Sequence, residues 1–381
     1  MLLALLLARQ GVRVTLLEAQ ASFERDFRGN TLSPAALELL DELGLTDQVL
    51  ALRHAKIPRF DVATAEGVVT FADFTQLPSR YPYIVMVPQS AFLQLLNEQL
   101  AMQRNAHLIM QAKVRELIVE QGVVRGVRYA LGEERRELRA QLTIGADGRF
   151  STVRKLAGIA LKPSNAPIDV LWFRLPRRPC DQDEAEALFR FGHGALLALM
   201  DHGETWQIGY IVQKGGYGEL RERGFPAFQD AVAEILPGLA ERVRALRGWA
   251  DCALLPVESS RAVRWHRPGL LLIGDAAHVM SPVGGVGITC ALQDASVAAT
   301  LLAAPLLAGA LREANLRQVQ RRREWPTRVV QAAQHFAHRQ VIDGALASVG
   351  PFRMPAYLRF ALRVPLLKQV PARLIGLGRV L

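Results

Sequence analysis

The chain has 381 residues, of which 50% are hydrophobic and 22% are charged. This composition excludes disordered, collagen-like and low-complexity proteins, and the length predicts about two to three domains. The formal net charge of +10 favours anionic ligands, but the arginines are spread along the chain instead of forming a basic patch, so nucleic acid is not a predicted partner.

The N-terminal sequence predicts a helix over residues 2–9, a turn at Gly11 and a buried strand over residues 12–17 that ends at Glu18. A second amphipathic helix is predicted over residues 33–43, with Pro34 in its first turn. The N-terminal segment is thus predicted to run helix, turn, buried strand and acidic residue.

The next part of the chain alternates in hydrophobicity around Glu66-Gly67, which predicts a hairpin over residues 59–74. Helical periodicity returns over residues 90–100. Three further strands are predicted, over residues 113–119, 123–129 and 137–144, and the last of them leads into the sequence GADG.

Residues 168–253 read as short strands separated by polar turns, which predicts a separate antiparallel sheet. An apolar strand follows over residues 268–273. Long helices are predicted over residues 287–302 and 313–346, and the remaining tail is broken by prolines.

The segment LTIGADGRFSTVR, residues 142–154, joins a strand to a helix through an Asp-Gly turn. Glycine permits close backbone approach and a helix N-terminus carries partial positive charge, so this turn favours a diphosphate-bearing ligand. Asp147 and Gly148 are the candidate binding residues. Taken alone, the motif is equally typical of a structural turn.

A second segment, residues 270–295, reads LLLIGDAAHVMSPVGGVGITCALQDA. Asp275 follows a strand as an acceptor suited to a sugar or ribityl hydroxyl, and the glycines let a flat ring approach the backbone. His278 is expected to support the loop more than to act as an acid or base. The candidate binding residues are Gly274, Asp275, Pro282, Gly285, Val286 and Gly287.

In this order and at this separation, GADGRFSTVR and GDAAHVMSPVGGVG resemble the two internal FAD motifs of the p-hydroxybenzoate hydroxylase-like aromatic hydroxylases, the group A flavoprotein monooxygenases. The resemblance covers nearly the whole chain. It implies that Asp147 lies near the FAD pyrophosphate and the nicotinamide path, that Asp275 binds the ribityl chain and that Pro282 faces the flavin. It also implies that residues 285–287 contact the pyrimidine edge.

The same resemblance assigns three residues earlier in the chain. Glu18 matches the acid that takes the adenosine ribose hydroxyls. Arg28, in the sequence RDFRG, matches the mobile arginine that positions the flavin, and Gln89 matches a polar residue that reaches the cofactor.

Two features depart from the family pattern. No GxGxxG loop and no strand before it are present, and helix 2–9 resembles the helix that follows that loop. We expect Met1 to be an internal methionine of a longer reading frame that supplies the first strand and phosphate loop, on the order of 15 residues. Thr289 stands where the family commonly has asparagine, a change expected to tune flavin contact.

The predicted fold is α/β: a three-layer, Rossmann-type FAD-binding domain without its first strand and phosphate loop, an inserted antiparallel β-sheet substrate domain, and C-terminal helices. The FAD-binding domain is expected to comprise residues 1–58, 82–167 and 254–345. The substrate domain is expected to comprise residues 59–81 and 168–253, and the helical tail residues 346–381.

The resemblance implies that NADPH or NADH reduces FAD, that O2 adds at flavin C4a, and that the hydroperoxide delivers one oxygen atom to an aromatic or quinone-like substrate. The inserted sheet is expected to cover a lipophilic pocket, with His193, Trp206 and Tyr210 as candidate liners, although such aromatic residues are more often core. No residue identifies a catalytic acid or base.

Three alternatives stay open at this point. Reductases and epoxidases of the same superfamily share the FAD motifs, and product analysis separates them. Flavin halogenases are less favoured because the sequence WQIGY differs from their WxWxIP motif. A cofactor-free remnant acting as a partner subunit fits a phosphate loop that is genuinely missing.

Location and partners follow from the remaining features. The three cysteines lack CxxC spacing, which predicts neither a metal site nor disulfides and fits a reducing cytoplasm. No signal peptide is recognised, and no apolar run is expected to span a bilayer. The basic and apolar tail fits an anionic inner-membrane surface, or, as its prolines favour, packing against the FAD domain or a second subunit of a homodimer.

Overall fold

The computed structural model describes residues 1–24, 31–164, 168–178, 181, 187–192, 194–202, 204–342, 346 and 353–377. The α-helices are α1 Leu2–Arg9, α2 Pro34–Glu42, α3 Thr46–Ala51, α4 Gln89–Ala101, α5 Thr152–Leu156, α6 Gly216–Glu222, α7 Phe225–Ile235, α8 Ala240–Arg244, α9 Gly287–Leu307, α10 Glu313–Ala337, α11 Ala356–Arg363, α12 Pro365–Lys368 and α13 Val370–Leu377.

The strands form several small sheets and one large one. They are β1 Val14–Leu17, β2 Thr31–Leu32, β3 Ala55–Ile57, β4 Arg59–Thr64, β5 Gly67–Asp73, β6 Ile84–Met86, β7 Ala106–Ile109, β8 Ala112–Glu120, β9 Val123–Leu131, β10 Glu134–Arg139, β11 Thr143–Gly145, β12 Leu161–Ser164, β13 Ile168–Pro176, β14 Ala187–Gly192, β15 Ala195–Asp201, β16 Thr205–Gln213, β17 Ala253–Pro256, β18 Ser259–Ala262, β19 His266–Arg267, β20 Leu270–Leu272 and β21 His278–Val279.

The first two helices form as the sequence predicts. Helix α1 is apolar on every side, and residues 2–8 are all buried in one core with α4 and α9. Helix α2 begins after Ser33, whose hydroxyl accepts a hydrogen bond from the backbone N–H of Ala36 at 3.3 Å, and Pro34 occupies its first position.

Two short parallel strand pairs lie beside this core. Strand β1 pairs with β7, and β11 pairs with β20. Residues of both β1 and β11 line the same cavity, and among the described residues each of these two strands pairs on one side only. A gap therefore separates the two parallel pairs.

The predicted third strand over residues 137–144 is two strands. Strand β10 joins β8 and β9 in an antiparallel sheet, whereas β11 joins β20 in a different one. The chain turns at Ala140, whose N–H donates to the carbonyl of Arg125 at 2.9 Å. Residues 140–142 contain no glycine or proline, so this short turn gives little sequence signal.

The large sheet has seven strands in the order β17-β13-β16-β15-β14-β4-β5. The predicted hairpin β4–β5 thus belongs to the same sheet as the strands after residue 168. It joins that sheet through a parallel pairing of β4 with β14, so the sheet is mixed and not wholly antiparallel.

The prediction of short strands throughout residues 168–253 was wrong over residues 216–244, which form α6, α7 and α8. Phe228, Val232 and Ile235 recur at helical spacing on α7 and pack against one face of the seven-stranded sheet. The opposite face of this sheet turns toward the rest of the molecule.

The C-terminal half contains two long helices. The segment Val283–Leu307, which includes α9, is long and apolar enough to cross a membrane, contrary to the expectation from sequence. In this structure α9 packs against α1 and α10, with Ala298 and Leu302 fully buried. Its buried residues belong to the core that it shares with α1 and α10.

The tail packs partly against the body of the protein. In α13, Ala372 and Gly376 are buried, and a Cβ at Gly376 would lie 2.5 Å from the Leu77 side chain. In α11, Phe360 is 68% exposed.

The helices and strands together form a mixed α/β fold with antiparallel sheets and C-terminal helices. The domain boundaries stay a prediction.

Candidate functional site

The described residues enclose a cavity of about 2440 Å³ between the two glycine-rich segments and the large sheet. Sites for single small molecules typically measure about 300–1,000 Å³. The cavity therefore has room for a large ligand and a second molecule beside it. Its walls contain β1, the turn after β11, the loop before α9 and the free face of the seven-stranded sheet.

The Asp-Gly turn lies at the cavity wall, with Gly148 at φ +81°. Both Asp147 oxygens hold the start of α5: the Ser151 hydroxyl donates to one at 2.5 Å, and the Val153 N–H donates to the other at 3.0 Å. Asp147 therefore fixes the turn and the helix start at the same time.

Arg154 ties the two motif loops together. This side chain is 4% exposed and donates to the carbonyl of Ala276 at 2.9 Å and to the carbonyl of Arg149 at 3.0 Å. Arg154 is thus a buried connector between residues far apart in sequence. Burial lowers the pKa of its guanidinium from the usual value.

Asp275 is the one exposed residue in the buried run of residues 270–281, and it lines the cavity. The preceding Gly274 has φ +55° and donates its N–H to Asp294 at 2.9 Å. The loop therefore presents a carboxylate to the cavity while its backbone is anchored from behind.

Asp294 anchors this loop through a buried network and is fully buried. It accepts hydrogen bonds from His278 Nε2 at 2.6 Å and from Arg323 Nε at 2.7 Å. Trp265 packs on the His278 ring, with centroids 4.8 Å apart. His278 thus supports the loop, as expected, and does not line the cavity.

The turn that carries Pro282 is held from α10 and the π-helical turn that follows it. Gln334 Nε2 donates to the carbonyls of Ser281 and Val283, both at 2.8 Å. His338 Nε2 lies 2.8 Å from the Ser281 hydroxyl. Both Gln334 and His338 are buried. We call Ser281, Gln334 and His338 the Ser281 clamp, because their hydrogen bonds fix the backbone on either side of Pro282.

The start of α9 faces the cavity. Val286 precedes the helix and supplies no side-chain cap to it, so the first backbone N–H groups carry the positive end of a 21-residue helix. A Cβ at Gly287 would meet nothing within 4 Å among the described residues. This helix start is suited to an electron-rich ring edge.

Gly285 must be glycine on two counts. It has φ +64°, and a Cβ there would lie 2.7 Å from the Thr31 hydroxyl oxygen, which itself donates to the Gly285 carbonyl at 2.8 Å. The Gly285→Ala substitution is expected to cost about 1–2 kcal/mol of stability from backbone strain and to weaken cofactor binding further, because the Thr31 contact must shift.

Gly309→Ala is the matched control for that substitution. Gly309 follows α9 at φ +63°, and a Cβ there would meet nothing within 4 Å. Both variants should lower the melting temperature, but only Gly285→Ala should lower the FAD affinity measured by fluorescence titration. Equal FAD affinities in the two variants would show that Gly285 has no role at the cavity.

Two more predicted residues lie at the cavity wall. Gln89 is at the start of α4, and its Oε1 is buried without a hydrogen-bond partner among the described residues. Glu18 follows β1, is half-buried and accepts the Gln20 N–H at 2.9 Å. Thr289, by contrast, is 2% exposed and donates to the Ser33 hydroxyl, so its side chain joins α9 to α2.

The structure brings ten of the sequence-predicted site residues to one cavity, and their contact with a ligand stays a prediction. These residues are Glu18, Gln89, Asp147, Gly148, Gly274, Asp275, Pro282, Gly285, Val286 and Gly287. Arg28 and His193 lie outside the described residues.

Trp206 and Tyr210 require a correction. Both side chains lie on the face of the sheet covered by α6–α8, where the Trp206 N–H donates to Asp181 at 3.0 Å and Tyr210 packs edge-on against Phe228. They do not line the cavity because alternate residues of a strand point to opposite faces, and the neighbouring Gln207 and Ile211 take the cavity side.

Sequence reasoning missed the residues that do form the cavity floor. Trp172 on β13, with Phe189 and Phe191 on β14, lines the cavity. The alternation of residues between the two faces of a strand was the available signal. Trp172 pairs across the sheet with Gly209, which points to the opposite face from Ile208 and Tyr210.

Comparisons with known proteins identify the family of this chain. The model of the FAD binding domain family matches residues 1–333. Over 316 residues the chain is 36% identical to the 6-methylpretetramide 4-monooxygenase of Streptomyces rimosus, a match that covers 82% of this chain and 74% of that enzyme.

Solved structures show the same fold. The anhydrotetracycline hydroxylase OxyS from Streptomyces rimosus matches with a TM-score of 0.75 and 24% identity, covering 99% of this chain and 73% of that one. PqsL from Pseudomonas aeruginosa, solved with 2-aminobenzoylacetate, matches with a TM-score of 0.76 and 21% identity, covering 91% and 93%. The chain belongs to the FAD binding domain family and is a flavoprotein monooxygenase of the p-hydroxybenzoate hydroxylase-like group A.

Proposed function

We propose that this protein uses FAD, O2 and NADPH or NADH to hydroxylate an aromatic or quinone-like small molecule. The observation that carries the proposal is the single cavity that joins both motif loops to an apolar sheet face. The similarity to an enzyme named for 6-methylpretetramide supports an aromatic substrate.

The residues at the cavity fit FAD. Gln89 Oε1 is a buried acceptor that lacks a donor among the described residues, and a bound cofactor N–H would satisfy it. The open space at Gly287 and the uncapped start of α9 suit the ring edge. We propose that Asp275 holds the ribityl chain and Glu18 the adenosine ribose.

FAD, when bound, supplies the reductive activation of O2 and the transfer of one oxygen atom. The protein's own residues hold and shield the reactants. The Ser281 clamp fixes the turn at Pro282, and Asp294 fixes the loop at Asp275. The apolar sheet face excludes water from the space between these loops and the floor.

We further propose that the gap between β1 and β11 receives a parallel strand and a phosphate-binding loop from a longer reading frame, which would complete a Rossmann-type sheet. Residues of both strands line the cavity, and among the described residues each strand pairs on one side only. Unpaired strand edges beside a core are unfavourable, which supports a missing neighbour.

The experiment combines spectroscopy with product analysis. Protein started at Met1 and protein from the upstream in-frame start are purified, and their oxidised-flavin absorption is compared. We expect more bound flavin in the longer protein, because the added loop supplies phosphate contacts. The flavin-loaded form should then oxidise NADPH or NADH and place one atom of isotopically labelled O2 in an aromatic product.

The outcomes separate the alternatives. A flavin-loaded protein whose product contains no labelled oxygen would indicate a reductase, and an epoxide product would indicate an epoxidase. Two colourless proteins that stay colourless with added FAD would contradict the proposal and favour a cofactor-free subunit.

A further inference from the structure

A row of paired residues crosses the cavity floor. Trp172 pairs with Gly209, Gly209 with Ala198, and Ala198 with Phe189. Trp172 and Phe189 are therefore three interstrand spacings apart, or about 14 Å at about 4.8 Å per spacing. Two small residues, Gly209 and Ala198, lie between the two aromatic ones.

Gly209 determines where the Trp172 ring lies. A Cβ at Gly209 would be 2.9 Å from Cζ3 and 3.1 Å from Cη2 of Trp172, so the six-membered ring covers the glycine. Any larger residue would push the indole away from the sheet. The glycine thus makes room for the indole on the cavity side of the sheet.

The Trp172 N–H is not satisfied within the protein. Trp172 is 9% exposed, and its Nε1 is buried with no hydrogen-bond acceptor among the described residues. On the other face of the same sheet, the Trp206 N–H is paired with Asp181. A buried donor without an acceptor is unfavourable, and a ligand oxygen would remove that cost.

We propose that Trp172 is a specificity-determining residue: its ring packs on a planar, multi-ring aromatic substrate, and its N–H donates to a carbonyl or hydroxyl oxygen of that substrate. This inference rests on the proposed function and deepens it by naming the substrate class. The row from Trp172 to Phe189 is longer than a single ring, so two or three fused rings can contact more of it.

The test uses two probes with the same three-ring skeleton, 9,10-anthraquinone, which carries two carbonyls, and anthracene, which carries none. Their binding to wild type, Trp172→Phe and Trp172→Leu is measured by equilibrium dialysis, with the melting temperature and the bound flavin recorded for each protein. Trp325→Phe, at a tryptophan that is 67% exposed, controls for loss of an indole elsewhere.

Trp172→Phe keeps an aromatic ring and removes the donor, so it should weaken anthraquinone binding about 2- to 12-fold and leave anthracene binding unchanged. Trp172→Leu should weaken binding of both probes, and Trp325→Phe of neither. An equal change for both probes in Trp172→Phe would overturn the proposal, as would unaltered binding in Trp172→Leu.

The flavin readings keep this inference apart from the proposed function. Flavin-loaded protein in which Trp172→Phe shows no difference between probes would overturn the role of Trp172 alone. Protein that never takes up flavin, yet loses anthraquinone selectively in Trp172→Phe, would support the role of Trp172 and contradict the monooxygenase activity.

Discussion

The Asp294→Asn variant is expected to lose about 3–5 kcal/mol of unfolding free energy and to bind FAD more weakly. Asp294 and Arg323 are 0% and 7% exposed at their side chains, and their ion pair measures 2.7 Å. Asparagine removes the negative charge, which leaves the Arg323 guanidinium buried without compensation. It also alters the acceptor of the Gly274 N–H, so the loop that presents Asp275 loses its anchor.

The pH dependence of the wild-type protein should report the same network. Burial acts to raise the pKa of Asp294, but His278 and Arg323 outweigh it and hold this pKa below the usual value. A depressed folded-state pKa contributes stability above the unfolded-state value of about 4, and that contribution is lost as the pH falls through the folded-state pKa. Asp294→Asn should remove this part of the acid sensitivity.

Urea unfolding curves at neutral and acidic pH measure both effects. Asp230→Asn serves as the control because Asp230 is exposed and its ion pair with Arg244 spans 3.9 Å; we expect less than about 1 kcal/mol from it. If the unfolding free energy of Asp294→Asn at neutral pH equalled that of the wild type, the buried network would not hold the loop.

The fold was predictable where one element carries its own signal. Helix α1 is apolar on all sides, α2 has Ser33 and Pro34 at its start, and the hairpin has Glu66-Gly67 at its turn. The helices over residues 216–244 were missed because glycines and two prolines interrupt their helical period. The division between β10 and β11 was missed because it depends on their pairing with different strands, β9 and β20.

The candidate site shows the same division. The backbone segments that line the cavity could be predicted, because each motif contains its own glycines and strand end within a short stretch of sequence. The residues that hold this backbone are distant in sequence: His338 lies 57 positions after Ser281, and Arg154 contacts a carbonyl 122 positions away. A single sequence contains no periodicity that links such residues, so only the packed structure identifies them.

The sequence analysis placed Trp206 and Tyr210 at the cavity because it assigned the wrong face of their strand to the ligand. Trp206 and Tyr210 are aromatic and lie on a predicted strand of the correct sheet, yet the face of a strand that meets the ligand depends on what covers the other face. Here α7 covers the sheet face on which Tyr210 lies, and Trp172 and Phe189 lie on the opposite face, which lines the cavity.

The Asp181→Asn variant should lower the unfolding free energy by about 3 kcal/mol without changing the FAD affinity of the folded protein. Asp181 accepts from both Arg242 Nη atoms, at 2.5 and 2.9 Å, and from the Trp206 N–H. Asparagine keeps one acceptor oxygen but leaves the buried Arg242 charge uncompensated. This pair lies under the face of the sheet that turns away from the cavity.

The hydrogen bond from Arg242 is the main cause that holds the pKa of Asp181 well below its usual range. Its stabilisation is therefore complete above the unfolded-state pKa of about 4 and is lost as the pH falls further. Urea unfolding and FAD titration of Asp181→Asn beside Asp294→Asn separate the two buried networks. If both variants lost stability and FAD affinity in the same proportion, weaker flavin binding would follow from general instability, and Asp294 would have no specific role in holding the cofactor loop.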